Sequence, residues 1–144
     1  MRSRRLDETD GLVTYALVFD TGDEVNETLL AFAREQKVDS AHFTGIGALT
    51  DVVLGYFQWD RKAYKRIPVD EQVEVLTLAG DIALENGEPK VHAHVVIGKS
   101  DGSAYGGHLL EARVRPTLEV ILVESPTPLR RTYDAETGLA LIDL

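Results

Sequence analysis

The segment VHAHVVIGKSDGSAYGGHLL, residues 91–110, holds three of the four histidines in a chain of 144 residues. His92 and His94 are one residue apart, and His108 follows the pair Gly106-Gly107. Neutral imidazoles suit Zn²⁺, with Fe, Ni, Co and Cu as competitors, and three protein ligands leave a fourth position for water or a substrate. An open position of that kind is what a hydrolytic or lyase metal centre uses. The ordinary alternative is a histidine hydrogen-bonded on a strand surface or in a core, and an isolated H-x-H pair is a weak signal.

Whether the three converge depends on the register of a hairpin. If 90–98 and 104–114 are its arms, His92 and His94 share a face, because strand side chains alternate. A loop centred between Asp101 and Gly102 sets His108 opposite Val95 and turns it away. Centred on Gly102, the loop sets His108 opposite Val96 and diagonal to His94. Diagonal neighbours lie roughly 7–8 Å apart, a gap that imidazoles can close onto a zinc about 2.0–2.1 Å from each nitrogen. A bulge at Gly106-Gly107 is a second way to re-aim His108. The sequence permits a three-histidine site without proving it.

Two carboxylates interrupt apolar strands, Glu74 in VEVLTL and Glu119 in TLEVILV. Each is either exposed on a sheet face, or buried and paired with an arginine, a histidine or a metal, or set at a subunit interface, since an unpaired buried carboxylate is costly. Near the histidines, either would fix an imidazole tautomer or act as a base on metal-bound water. Arg113, Arg115, Arg130 and Arg131 are the available partners. His42, in SAHFTG, has no such company and reads as structural. TGIGALTD at 44–51 lacks the third glycine and the helix of a dinucleotide loop and reads as a turn between strands. RKAYKR at 61–66 reads as a solvated hairpin tip.

These residues are positioned by strands. Residues 1–11 are polar and read as a flexible N-terminal arm, with 12–144 as a single domain. VTYALVF at 13–19 reads as the first strand, and Val25, Leu29, Phe32 and Ala33 recur at helical spacing, predicting a helix over 23–37 with Thr21 or Asp23 as N-cap. Short β-type runs follow at 40–46, 51–59, 73–84, 90–98, 104–114 and 117–124, with weaker ones near 129–133 and 138–142. Turn residues separate them, including Gly47, NGEP at 86–89 and Pro116. The pattern predicts an α+β domain: a twisted, mostly antiparallel sheet with one main helix packed on a face.

Composition narrows the function. Lys and Arg total 15 against 24 Asp and Glu, a formal net charge of -9, which opposes nonspecific attraction to nucleic acid. The chain contains no cysteine, so disulfides, thiolate nucleophiles and Cys-rich zinc sites are excluded, and His, Asp and Glu are the strong metal ligands that remain. No segment approaches the roughly 18 apolar residues of a membrane span, and the chain reads as a soluble cytoplasmic protein.

Several segments together resemble the PPC domain, named for plants and prokaryotes and also written PCC. They are TGIGAL with LGYF, VEVLTLAGDI, PKVHAHVVI, GGHL, TLEVILVE and the tail LRRTYDAETGLALIDL. The resemblance implies a homotrimer and, on His92, His94 and His108, the metal site of the stand-alone prokaryotic type. It also brings an association with DNA, which in plant members runs through separate AT-hook segments. This chain has no R-G-R-P core of that kind, and EQVEVL at 71–76 lacks the Gly-Arg-Phe start of the plant partner-binding stretch. The first expectation is therefore a trimeric protein with a three-histidine metal site, zinc or another divalent metal such as iron, binding a small ligand with no reaction assigned. Glu74 and Glu119 are its candidate outer-shell or interface residues. The alternative is a non-enzymatic module associated with DNA or a transcription factor.

Overall fold

A computed structural model describes residues 1–144 as nine strands and one α-helix. Strands β1 (Arg2–Thr9) and β2 (Leu12–Phe19) precede helix α1 (Val25–Gln36). The remaining strands are β3 (Ser40–Gln58), β4 (Ala63–Val69), β5 (Val73–Glu85), β6 (Glu88–Gly98), β7 (Ala104–Glu124), β8 (Arg130–Asp134) and β9 (Leu139–Asp143). The order across the sheet is β1-β2-β7-β3-β5-β8-β9, with β4 on β3 and β6 joining β5 to β7. Strands β3, β5, β6 and β7 thus pair in a closed circuit. Every pairing is antiparallel except β5 with β8.

One face of the sheet carries the core. Leu17, Phe19, Phe43, Leu54, Leu78, Ile82, Ile97, Leu118 and Leu122 are fully buried there, and α1 closes over them with Val25, Leu29, Phe32 and Ala33. Those four helix positions are the ones that the 3.6-residue period selects. The cap lies one residue beyond the expected Asp23: Glu24 accepts the Glu27 N–H at 2.7 Å through one carboxylate oxygen and the Ala112 N–H at 3.0 Å through the other. A single carboxylate therefore starts the helix and ties it to β7. Asp23 instead meets the N-terminal ammonium at 3.0 Å.

Three expectations are corrected. Residues 2–9 are not a loose arm but an edge strand, paired from Arg2 opposite Val18 to Thr9 opposite Leu12. Asp10 and Gly11, with φ of 54° and 81°, form the primed type of turn that an Asp-Gly pair favours, and the backbone pairs although every β1 side chain is exposed. TGIGALTD is not a turn either: it lies within the 19-residue strand β3. Its glycines serve close approach, because a Cβ at Gly47 would sit 2.4 Å from the Thr117 carbonyl oxygen of β7. Likewise Pro116 does not end a strand. β7 runs through it, since Gly47 pairs Leu118 while Leu49 pairs Val114, leaving Pro116 in a bulge that needs no ladder N–H.

Glu24→Ala should lower the unfolding free energy by about 1–2 kcal/mol, the usual cost of an N-cap, read as a lower urea midpoint at unchanged slope. Glu24→Gln, which keeps an acceptor, should lose less than half of that.

Candidate metal centre

The hairpin loop decides the site. Asp101 accepts both the N–H of Ser103 at 2.9 Å and its O–H at 2.6 Å, and Lys99 donates its N–H to the Ser103 carbonyl at 2.9 Å. The loop is therefore centred on Asp101, half a residue before one expected position and a full residue before the other. His94 lies directly opposite His108, and Val95 opposite Gly107. No bulge interrupts β6 and β7 at Gly106-Gly107; the irregularity lies on the other edge of β7, where Val53 pairs Glu111 and Leu54 pairs Leu109. His92, His94 and His108 all stand on the face away from the helix.

Their rings form a near-equilateral triangle, with centroids 5.3 Å apart for His92 and His94, 5.2 Å for His92 and His108, and 5.3 Å for His94 and His108. One ring nitrogen from each lies within 4.8 Å of the others. Tetrahedral zinc at about 2.0–2.1 Å requires nitrogens about 3.3 Å apart, so small rotations about the side-chain bonds bring the three into range. Nδ1 of His108 is buried without a hydrogen-bond partner. That cost, about 1–3 kcal/mol, is the state expected of a ring that gives its lone pair to a cation.

The surroundings are polar on one side and aromatic on the other. Asp81, across the strand pair from His92, sets Oδ2 3.5 Å from its Nδ1, while Arg131 on β8 donates to Asp81 Oδ1 at 2.6 Å and lies 3.3 Å from the same Nδ1. Nη2 of Arg131 carries two hydrogens and so reaches both Asp81 Oδ1 and His92 Nδ1, while Asp81 Oδ2 faces the same ring nitrogen. A metal bound at His92 Nε2 would place the ring proton on Nδ1, where Asp81 accepts it. Burial raises the Asp81 carboxyl, but His92 and Arg131 outweigh it and hold the group below its ordinary range. On the other side the Tyr64 ring of β4 stacks on His108 at 4.5 Å and 24°. Gly55, opposite His108 on β3, makes room for it: a Cβ there would lie 2.9 Å from the Tyr64 ring.

Glu74 and Glu119 are not brought to the histidines. Both are exposed, and Glu119 lines a separate 360 Å³ cavity with Ile46 and Ile121. The carboxylate beside the cluster is Asp81, which the sequence reading missed. Its signal was weak: one Asp in AGDIAL, linked to His92 by strand pairing alone. Of the four candidate arginines, Arg131 is the one that reaches the site. His42 is exposed opposite Asp81 and outside the cluster. The basic run at 61–66 lies at a hairpin tip, and there Lys62 donates to the Ala135 carbonyl at 2.6 Å.

Burial, with His92 and His94 adding to it, pushes the His108 imidazole down from 6.5 to about 4. Burial and then His92 lower His94 as well. The unfolded chain therefore takes up a proton at His108 before the folded one does. Metal-free protein should lose stability as pH falls from 6.5 towards 4. In chelator-treated protein, His108→Asn should flatten that part of the melting-temperature profile and leave it unchanged above pH 7.

A model of the Plants and Prokaryotes Conserved (PCC) domain matches residues 6–126. A plant- and prokaryote-conserved (PPC) protein from Pyrococcus horikoshii is similar in structure, with 35% identity, a TM-score of 0.86, and coverage of 91% of each chain. A metal-containing protein from Archaeoglobus fulgidus is 33% identical with a TM-score of 0.84, covering 91% of this chain and 93% of that one. A Bacteroides thetaiotaomicron protein provisionally called DNA-binding is 30% identical with a TM-score of 0.86, covering 95% of this chain and 94% of that one. The bifunctional protein GlmU of a Synechococcus strain is 25% identical over 119 residues, 81% of this chain but 18% of that protein, so the chain spans under a fifth of its length. No helix here is long and apolar enough to cross a membrane. With the match running from β1 to just past β7 and taking in all three histidines, this chain belongs to the Plants and Prokaryotes Conserved domain family.

Proposed function

We propose that this protein holds a divalent metal, zinc in the first instance, on His92, His94 and His108, and presents its open coordination position to a small ligand. The observation that carries the reading is the triangle of imidazoles with one nitrogen from each within 4.8 Å. The likeness to a metal-containing protein of Archaeoglobus fulgidus supports it. Bound there, the metal would act as a Lewis acid towards a ligand oxygen. The chain's own contribution is to keep His108 and His94 neutral by burial, so that their lone pairs are available, and to orient His92 through Asp81.

The alternative of a DNA-associated module draws on the provisional description of two relatives, from Bacteroides thetaiotaomicron and Ralstonia eutropha. The net charge of -9 favours the metal reading, because phosphate contacts supply most of nonspecific DNA affinity.

The reading includes a homotrimer. Ile46, Leu76 and Ile121 are 63%, 53% and 47% exposed on the sheet face that the helix leaves uncovered, and a symmetric assembly would bury them. Glu119, between Ile46 and Ile121 in the cavity wall, then lies at the subunit boundary. Sedimentation of the wild type should give three chains per particle, and Ile121→Asp should give monomers.

Protein purified without chelator or added metal should carry about one divalent ion per chain by elemental analysis. His92→Ala and His108→Ala should each reduce that to a trace while keeping the circular dichroism of the fold. Asp81→Asn should keep the ion but weaken it about 10–100-fold, the usual effect of removing a carboxylate behind a ligating histidine. Wild-type protein without stoichiometric metal would sink the reading.

A further inference from the structure

Beside the histidines lies a 240 Å³ cavity, lined among others by Tyr64, His92, His108, Lys90, Arg131 and Leu141. Its outer wall is the β8–β9 hairpin, which lies beyond residue 126, where the family match ends. That wall is firmly attached. Leu84 donates its N–H to the Leu129 carbonyl at 2.8 Å, β8 pairs with β5 at Leu84 and Glu85, and Arg131 spans from Asp81 to the Ala140 carbonyl, 3.1 Å away. Lys62 fastens the hairpin turn at Ala135.

Arg131 is more than a strut. Its side chain is 9% exposed, yet Nε is buried without any hydrogen-bond partner, although the guanidinium satisfies Asp81 and Ala140 with its other nitrogens. Nε is enclosed, but Nη1 keeps a second hydrogen beyond the one it gives to the Ala140 carbonyl, so the guanidinium in the cavity wall still has a donor for a ligand oxygen. Charge points the same way. In the cavity wall Arg131 is balanced by Asp81, and Lys90 by Glu85 at 3.9 Å, so the two positive charges of a divalent ion on neutral imidazoles would be in excess. Lys90 is also largely exposed and free to turn inward. Leu139 and Leu141 of the hairpin contribute to the apolar part of the lining, with Val91 and Ala140. At about 30 Å³ per water, the 240 Å³ space suits a small molecule of about eight non-hydrogen atoms.

We propose that this cavity binds a small aliphatic carboxylic acid, its carboxylate held between the histidine centre and Arg131 and its carbon chain against Leu139 and Leu141. Arg131 is then the residue that selects an acid over a neutral analogue. An arginine suits the role because its planar donors match a carboxylate and its charge does not titrate. The proposal rests on the metal reading above.

The test uses full-length protein loaded with Co²⁺, whose visible spectrum reports on the open position, titrated at constant ionic strength with butyrate and with butyramide. Wild type should bind butyrate at least tenfold more tightly than butyramide. Arg131→Gln should lose at least tenfold in butyrate affinity, keep its butyramide affinity and retain one Co²⁺ per chain. Equal binding of acid and amide by wild type, or unchanged butyrate affinity in Arg131→Gln, overturns the proposal and leaves the metal site standing. Should Arg131→Gln fail to fold or to hold Co²⁺, Leu141→Trp decides. It narrows the cavity while replacing neither a charged residue nor a histidine; a tenfold loss of butyrate affinity with Co²⁺ retained supports the proposal, and wild-type affinity overturns it. Failure of the wild type to take up Co²⁺ overturns this proposal and the metal reading together.

Discussion

The site depends on one backbone register, that of β6 against β7. Strand side chains alternate with a period of two, so a slip of one residue would send His108 into the core and leave His92 and His94 as an isolated pair. Two independent restraints prevent the slip. On one side Asp101 gathers the Ser103 N–H and O–H and centres the loop on itself. On the other, β7 pairs along β3 and places Gly55 opposite His108. Because β3, β5, β6 and β7 close on one another, changing any one register would strain the other three. The alternation of Ala93, Val95 and Ile97 into the core holds β6 from beneath.

Around that register the protein balances charge against burial. A carboxylate and a guanidinium are both taken largely out of water beside His92, which is costly unless each is well bonded. Asp81 receives Arg131 at 2.6 Å and faces His92, and its carboxyl stays low despite burial. Arg131 is in turn the link between the sheet and the C-terminal hairpin, so the element walling the cavity and the group orienting His92 are mechanically coupled. The opposite flank is built differently. There a glycine vacates space and an aromatic ring fills it, and His108 lies against Tyr64 in a setting that keeps it neutral.

The two faces of the sheet divide the work. The helix-covered face supplies stability through a continuous apolar core, and its residues follow binary patterns that are visible in the chain. The other face carries the histidine cluster at one end and exposed Ile46 and Ile121 at the other. Burial there would require another surface.

Local physics, read along the chain, determined a good part of this protein. The apolar positions of α1, the strand character of nearly every element, the placing of His92 and His94 on one face, and the exclusion of cysteine chemistry all follow from residue type and spacing. What stayed hidden was whatever needs two distant segments at once. TGIGALTD and Pro116 look like breaks, and they became strand interior because a facing strand approaches Gly47 closely and a bulge absorbs the proline. Residues 2–9 bury no side chain, so no hydrophobic period betrays a strand held by backbone pairing alone. Asp81 is an unremarked carboxylate until β5 lies beside β6, and Arg131 belongs to the site only because a two-residue parallel ladder carries β8 back to β5. Residue identity thus set which groups could bind a metal. Strand pairing, acting over separations that no local period records, decided which of them meet.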